Sequence, residues 1–243
     1  MRMTAVALIV SIAFVTLGVT AMSALIQYKE RSRDWASVSR YRDANRALSV
    51  APAEDRVVFM GDSIFDAWPQ PRFGSFFVGK PYVGRGIVAQ TTPQMLVRFR
   101  ADVLNLKPRV VVILAGTNDI AGNTGPITDD EIQGNLASMS ELASAHGVRV
   151  VLASILPVSA YHTLITRTPR TASRPQFRIR AINAWIHQYA AARGHVYLDY
   201  YSAMVDGNGE LREDLSEDDL HPNARGYAIM APLTDAAIEQ ARR

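Results

Sequence analysis

The 243 residues are 48% hydrophobic and 20% charged, with 15 Gly, 12 Pro and no Cys. This composition excludes a disordered or collagen-like chain and can bury one sizeable core. Without cysteine, a disulfide framework, cysteine-ligated zinc and a thiol nucleophile are excluded, although export is not. The net charge is +3, but residues 1–49 hold seven basic and three acidic side chains, which leaves the remainder at −1. A body so near neutrality has no broad footprint for a phosphate backbone, so nucleic acid is not an expected partner.

The chain opens with a segment free of charge between Arg2 and Lys29, in which Ala5 to Ile26 is almost wholly apolar. Its 22 residues match the roughly 20 that span a bilayer. Residues 1–27 are therefore expected to be a hydrophobic helix serving as signal anchor or signal peptide, with the membrane as partner and the body outside the cytoplasm. Lys29, Arg31, Arg33 and Arg40 outweigh Arg2 and pull the opposite way under the positive-inside rule, which export of a large domain can override. Residues 28–53 are polar and basic and read as a stalk or linker, with a short helix around Trp35 to Leu48.

Residues 54–243 alternate strands and helices. Apolar runs at Arg56–Met60, Val110–Leu114, Val148–Ala153 and His195–Leu198 suit strands buried on both faces of a parallel sheet. A strand at Pro81–Gly84 carries Pro and Gly and suits an edge. Helices are expected at Gln94–Leu106, at Thr128–Ala145 behind a Thr128-x-x-Glu131 capping box, at Gln176–Arg193 before Gly194, and at Ala224–Arg242. The alternation implies an α/β/α three-layer sandwich with sites beyond the carboxyl ends of its strands.

Unusual polar residues gather at those ends. Gly61-Asp62-Ser63 follows the first strand, and Gly116-Thr117-Asn118-Asp119 follows the Val110 strand. Gly84-Arg85-Gly86-Ile87 lies between them, and Asp218-Asp219-Leu220-His221-Pro222-Asn223 precedes the last helix. A serine hydroxyl needs an adjacent base before it becomes a useful nucleophile. His221 can be that base, and Pro222 keeps it on a turn rather than inside the helix. Asp218, three residues earlier, can take the ring N–H and fix the tautomer. The N–H groups of Ser63 and Gly86 and the amide of Asn118 are candidate donors to an oxyanion.

The four blocks, in this order, resemble those of the SGNH/GDSL hydrolase family, from about Arg56 to the C-terminus. The resemblance implies a flavodoxin-like parallel sheet and metal-free ester hydrolysis without a cofactor. It also implies nucleophile Ser63, base His221, orienting Asp218, and an oxyanion hole of Ser63, Gly86 and Asn118. Similar members often carry a second glycine where Ile87-Val88-Ala89-Gln90 stands here, so Ala89 is expected to reshape that loop. The expected activity is removal of a short acyl group, acetyl above all, from a small-molecule, lipid or sugar ester. Two alternatives stay open: acyl transfer to a cell-wall polysaccharide on the same machinery, and a non-catalytic membrane-tethered binding module.

Other features read more plainly. Asp62 and Asp119 are expected to accept loop N–H groups, and Asp219 to be solvated. The remaining histidines show no ligand spacing, and no metal site is expected. Gly74-x-x-x-x-Gly79-Lys80 mimics a phosphate loop, but Pro81 replaces the hydroxyl residue that holds Mg²⁺. Gly84-x-Gly86-x-x-Ala89 mimics a dinucleotide fingerprint without a helix start behind it. Leu156 to Arg174 reads as a long mobile loop, with Arg167, Arg170 and Arg174 far from any acid in sequence; a lid over an anionic or lipid-like substrate is the functional alternative.

Overall fold

Strands β1 (Val57–Gly61), β2 (Tyr82–Gly86), β3 (Val110–Leu114), β4 (Arg149–Ala153) and β5 (Val196–Leu198) form one all-parallel sheet in the order β2-β1-β3-β4-β5. The computed structural model describes residues 16, 18–20, 22, 23, 33–49 and 54–243. Most of the expected apolar leader at 1–27 lies outside the described residues. Among the described residues no helix is long and apolar enough to cross a membrane.

Each central strand is apolar throughout because both of its faces are covered. On one face Val58, Met60, Val111, Ile113, Val150 and Leu152 pack against α3 (Thr92–Asp102), α5 (Asp129–Ala145) and α8 (Gln176–Arg193). On the other, Val57, Phe59, Val112, Leu114 and Val151 meet α2 (Ser63–Ala67), α9 (Tyr201–Met204) and α10 (Ala224–Arg242). Each large side chain so buried contributes about 1.5–3 kcal/mol. The result is the three-layer α/β/α sandwich with β2 at the edge, as its Pro and Gly suggested.

Local chemistry sets the helix ends. Thr128 and Glu131 close a capping box on α5, and Gly194 terminates α8 in the left-handed region at φ 69°. Asn223 Oδ1 accepts from the N–H groups of Arg225 and Gly226 and starts α10. The helix expected to run to Leu106 stops at Asp102, and a 3₁₀ turn follows over Leu104–Leu106.

Two segments differ from expectation. Residues 33–49, read as part of a stalk, pack against the edge of the sandwich, with α1 (Arg42–Ser49) beginning later than the helix expected from Trp35. Gln90 and Gln94 donate to the carbonyls of Ala36 and Trp35, both at 2.7 Å. Asn45 bonds Asp102 at 2.6 Å and Arg85 at 2.8 Å. These polar side chains satisfy groups on the body, which a hydropathy pattern does not register. Residues 156–174, read as a mobile loop, are packed at their two ends, where Leu156, Val158, Ser159 and Arg174 are buried, while Tyr161 and Leu164 between them are exposed. Two single-turn helices, α6 (Thr163–Thr166) and α7 (Arg170–Ser173), interrupt the rest.

Candidate active site

The register aligns the carboxyl ends of three strands, pairing Gly61 with both Gly86 and Leu114. Ser63 lies two residues beyond β1, and Asn118, in α4 (Thr117–Ile120), four beyond β3. Asp62 caps α2 by accepting the Ile64 N–H at 2.9 Å. Ser63 is then the first helical residue, so its N–H has no carbonyl one turn back to donate to. Gly86 passes so close to α2 that a Cβ there would stand 2.1 Å from the Asp66 nitrogen and 2.6 Å from the Asp62 carbonyl oxygen; no other residue fits. The Tyr41 hydroxyl donates to the Gly86 carbonyl, and the Ile87 N–H reaches the Gly61 carbonyl at 3.1 Å. Ala89 holds the glycine-type bend with φ at 63°, at a cost of about 1–2 kcal/mol.

His221 comes to Ser63 from the other end of the chain, with Oγ and Nε2 2.9 Å apart. Its Nδ1 lies 2.7 Å from Asp218 Oδ2, while Asp218 Oδ1 accepts the backbone N–H groups of His221 at 2.8 Å and Leu220 at 3.2 Å. Burial raises the Asp218 pKa, but the hydrogen bonds from the His221 ring and backbone outweigh it and hold the carboxyl well below the usual range. An ionised carboxylate only accepts, so Nδ1 carries the proton and Nε2 is left to accept from the serine hydroxyl. The 216–222 turn is closed by Asn223, whose N–H meets the Leu215 carbonyl at 2.8 Å. Tyr227, in the first turn of α10, donates to the Ile64 carbonyl at 2.7 Å and ties the histidine-bearing segment to the serine-bearing helix.

Gly116 turns β3 into α4 with φ at 116°, where a Cβ would also come within 2.6 Å of Ile155 Cδ1. Asn118 follows, buried, with Nδ2 donating to the Gln90 carbonyl at 3.1 Å. Asp119 accepts the Thr92 N–H at 2.9 Å and hydroxyl at 2.6 Å, a loop-pinning role that its position suggested. Arg174, read from the sequence as part of a mobile loop or a lid, reaches Asn118 instead. It is buried, with Nε donating to Thr117 Oγ1 at 3.1 Å, Nη1 to Ser173 Oγ at 3.0 Å and Nη2 to Asn118 Oδ1 at 3.4 Å. Burial and the neighbouring Arg170 pull its pKa down, while Asp62 and Asp218 pull it back up.

Asp219 is not solvated. It is fully buried, accepting from Ser159 Oγ at 2.7 Å and from the His162 backbone at 2.9 Å, with His162 Nδ1 at 3.0 Å. Nor is Arg170 without an acid: its Nη2 lies 3.7 Å from Asp218 Oδ2, and its Nε donates to the Asp218 carbonyl. Ser63 and His221 open into a cleft of about 650 Å³ whose other walls include Asp66, Gln70, Arg72, Phe73, Val88, Glu217 and Tyr227.

The sequence profile of the GDSL-like Lipase/Acylhydrolase family matches residues 59–229. Two solved structures cover nearly all of their own chains. A proposed acylhydrolase from Bacteroides fragilis is 40% identical with a TM-score of 0.78, over 86% of this chain and 99% of that one. A GDSL-like lipase from Bacteroides thetaiotaomicron is 42% identical with a TM-score of 0.77, over 85% and 98%. Among curated relatives, esterase TesA of Pseudomonas aeruginosa is 28% identical over 58% of this chain and 60% of its own length. The uncharacterized lipoprotein YqeF of Bacillus subtilis is 34% identical over 30% of this chain and 31% of its own length. The chain thus spans less than two thirds of either curated relative. On the profile match and the two Bacteroides structures, the chain belongs to the GDSL-like lipase/acylhydrolase family, whose chemistry is carboxylic ester hydrolysis.

Proposed function

We propose that this chain is a serine ester hydrolase that removes a short acyl group, acetyl in the first instance, through an acyl-enzyme on Ser63. The observation that supports this is the unbroken relay from Ser63 Oγ to His221 Nε2 (2.9 Å) and from His221 Nδ1 to Asp218 Oδ2 (2.7 Å). As Oγ attacks the ester carbonyl, its proton passes to Nε2, and the Asp218 carboxylate stabilises the imidazolium. The carbonyl oxygen becomes an oxyanion facing the N–H groups of Ser63 and Gly86 and the Asn118 amide. Collapse breaks the ester C–O bond, the imidazolium returns the proton to the leaving alkoxide, and water repeats the cycle to release the acid.

The cleft favours a small acyl group on a hydroxyl-bearing alcohol. Asp66, Gln70 and Glu217 interrupt the apolar surface of Phe73, Val88 and Tyr227 that a long acyl chain would need unbroken. Arg170 and Arg174 are held by Asp218 and by Thr117 and Asn118, which takes them away from recognising an anionic headgroup. Ser63→Ala tests the assignment: it is expected to lower turnover of nitrophenyl acetate at least about 1,000-fold with thermal unfolding unchanged. Near-normal turnover in that folded variant overturns it, and rates rising from acetate to octanoate overturn the short-acyl preference.

We infer further that residues 1–27 direct or tether the body to the extracytoplasmic side of a membrane. The 22-residue uncharged stretch supports this, as does the lipoprotein name of the Bacillus relative. The catalytic body comprises residues 54–243, to which at least residues 33–49 of the preceding basic segment are bound.

A further inference from the structure

Arg174 occupies an unusual position for a buried cation. Its side chain is removed from water, yet among the described residues it makes no ion pair. Its three hydrogen bonds go instead to two hydroxyls and to the amide oxygen of Asn118. A buried charge without a close counter-charge is destabilising, and its retention calls for a compensating role.

The contact with Asn118 supplies one. The two ends of an asparagine amide have nearly the same shape, and its orientation is set by what each end meets. Here the Gln90 carbonyl faces Nδ2 at 3.1 Å and the Arg174 guanidinium faces Oδ1 at 3.4 Å. A carbonyl on one side and a cation on the other reject the flipped amide from both ends. One Nδ2 hydrogen is used by Gln90, and the second is left for the site. A positive charge at Oδ1 also draws electron density from the amide nitrogen and makes that hydrogen a stronger donor. Thr117, the residue before Asn118, holds Nε and so fixes where the guanidinium sits.

We propose that Arg174 is a positioning residue for the oxyanion site: it locks and polarises the Asn118 amide, which then faces the negative charge developing on the substrate oxygen. The proposal rests on the assignment of Asn118 as an oxyanion donor made above. The arginine touches no substrate atom and acts through the amide, so its effect belongs to the transition state and not to ground-state binding.

The test is steady-state hydrolysis of nitrophenyl acetate by the full chain and by Arg174→Met, Arg174→Lys, Thr117→Val, Asn118→Ala, Ser63→Ala and the Arg174→Met/Asn118→Ala double variant, each checked for folding by thermal unfolding. Arg174→Met is expected to lower kcat about 10- to 100-fold with KM within threefold of the parent, a share of the roughly 100- to 1,000-fold that a whole oxyanion donor supplies. The double variant is expected to be no more than threefold worse than Asn118→Ala, because without the amide the guanidinium has nothing to act through. Arg174→Lys keeps the charge without the fork and is expected to recover part of kcat. An Arg174→Met enzyme with parental kcat overturns the proposal, as does a loss that multiplies fully with that of Asn118→Ala or appears wholly in KM. If Arg174→Met does not fold, Arg174→Lys and Thr117→Val decide: a fall in kcat of at least threefold at constant KM in either supports it, and parental kcat in both overturns it. A folded Ser63→Ala that still turns over the ester overturns the underlying assignment instead, whatever the arginine variants do.

Discussion

Asp62, the residue before the serine hydroxyl, carries two demands on one carboxyl. Oδ1 caps α2, while Oδ2 is buried with no hydrogen-bond partner among the described residues. Burial pushes its pKa up to about 6, against the Ile64 N–H bond and the charges of His221 and Arg174. The folded protein therefore keeps a proton that the unfolded chain sheds near pH 4. Native stability contributed by this group falls as pH rises from roughly 4 to 6, by about 3 kcal/mol. Asparagine caps a helix as well as aspartate does and cannot ionise. Asp62→Asn should gain on the parent by about 2–3 kcal/mol between pH 4 and pH 7 in urea unfolding; parallel pH profiles for the two proteins would count against this. Asp62 was legible as a loop acceptor, since Gly-Asp-Ser after a strand places it at a helix start. Its raised pKa was not, because that depends on which distant residues seal it from water.

At the scale of elements, the contact between α10 and α2 holds the two halves of the relay at a fixed separation. Tyr227 is buried, donates to the Ile64 carbonyl, and stacks on Trp68 with ring centroids 5.3 Å apart. Tyr227→Phe keeps the ring packing and strands a buried carbonyl, which should cost about 1–2 kcal/mol in unfolding free energy. It should also lower kcat for nitrophenyl acetate severalfold at constant KM by loosening the Ser63–His221 distance; unchanged kcat in a destabilised protein would confine Tyr227 to stability. All five strands and the four long helices were readable within a few residues, because apolar runs, a capping box and Gly194 are local signals. Ser63, Asp218 and His221 were readable as candidates because each stands at an element boundary. Tyr227 and Arg174 were hidden, the one as an apolar position in a helical stripe and the other as one arginine among several in a Pro-punctuated segment. What distinguishes them is the partner reached across the fold, and a single sequence does not carry that.

For the whole molecule, the apolar leader and the body make a joint prediction. If residues 1–27 direct the chain outward, protease added to intact cells or spheroplasts should remove the esterase activity while leaving a cytoplasmic marker untouched. Activity protected until lysis would place the body inside. Residues 33–49 are docked along β2, the outer strand. Tyr41 takes the Gly86 carbonyl, and the Arg85 guanidinium, lying over the Tyr41 ring at 4.6 Å, takes the Gly84 carbonyl at 2.6 Å. Two backbone acceptors that an outermost strand would offer to a stranger are thus occupied by the chain's own side chains. Recombinant forms trimmed to start at residue 54 would bare that flank, inviting another molecule to zip onto the sheet and leaving the Gly86 peptide without its brace.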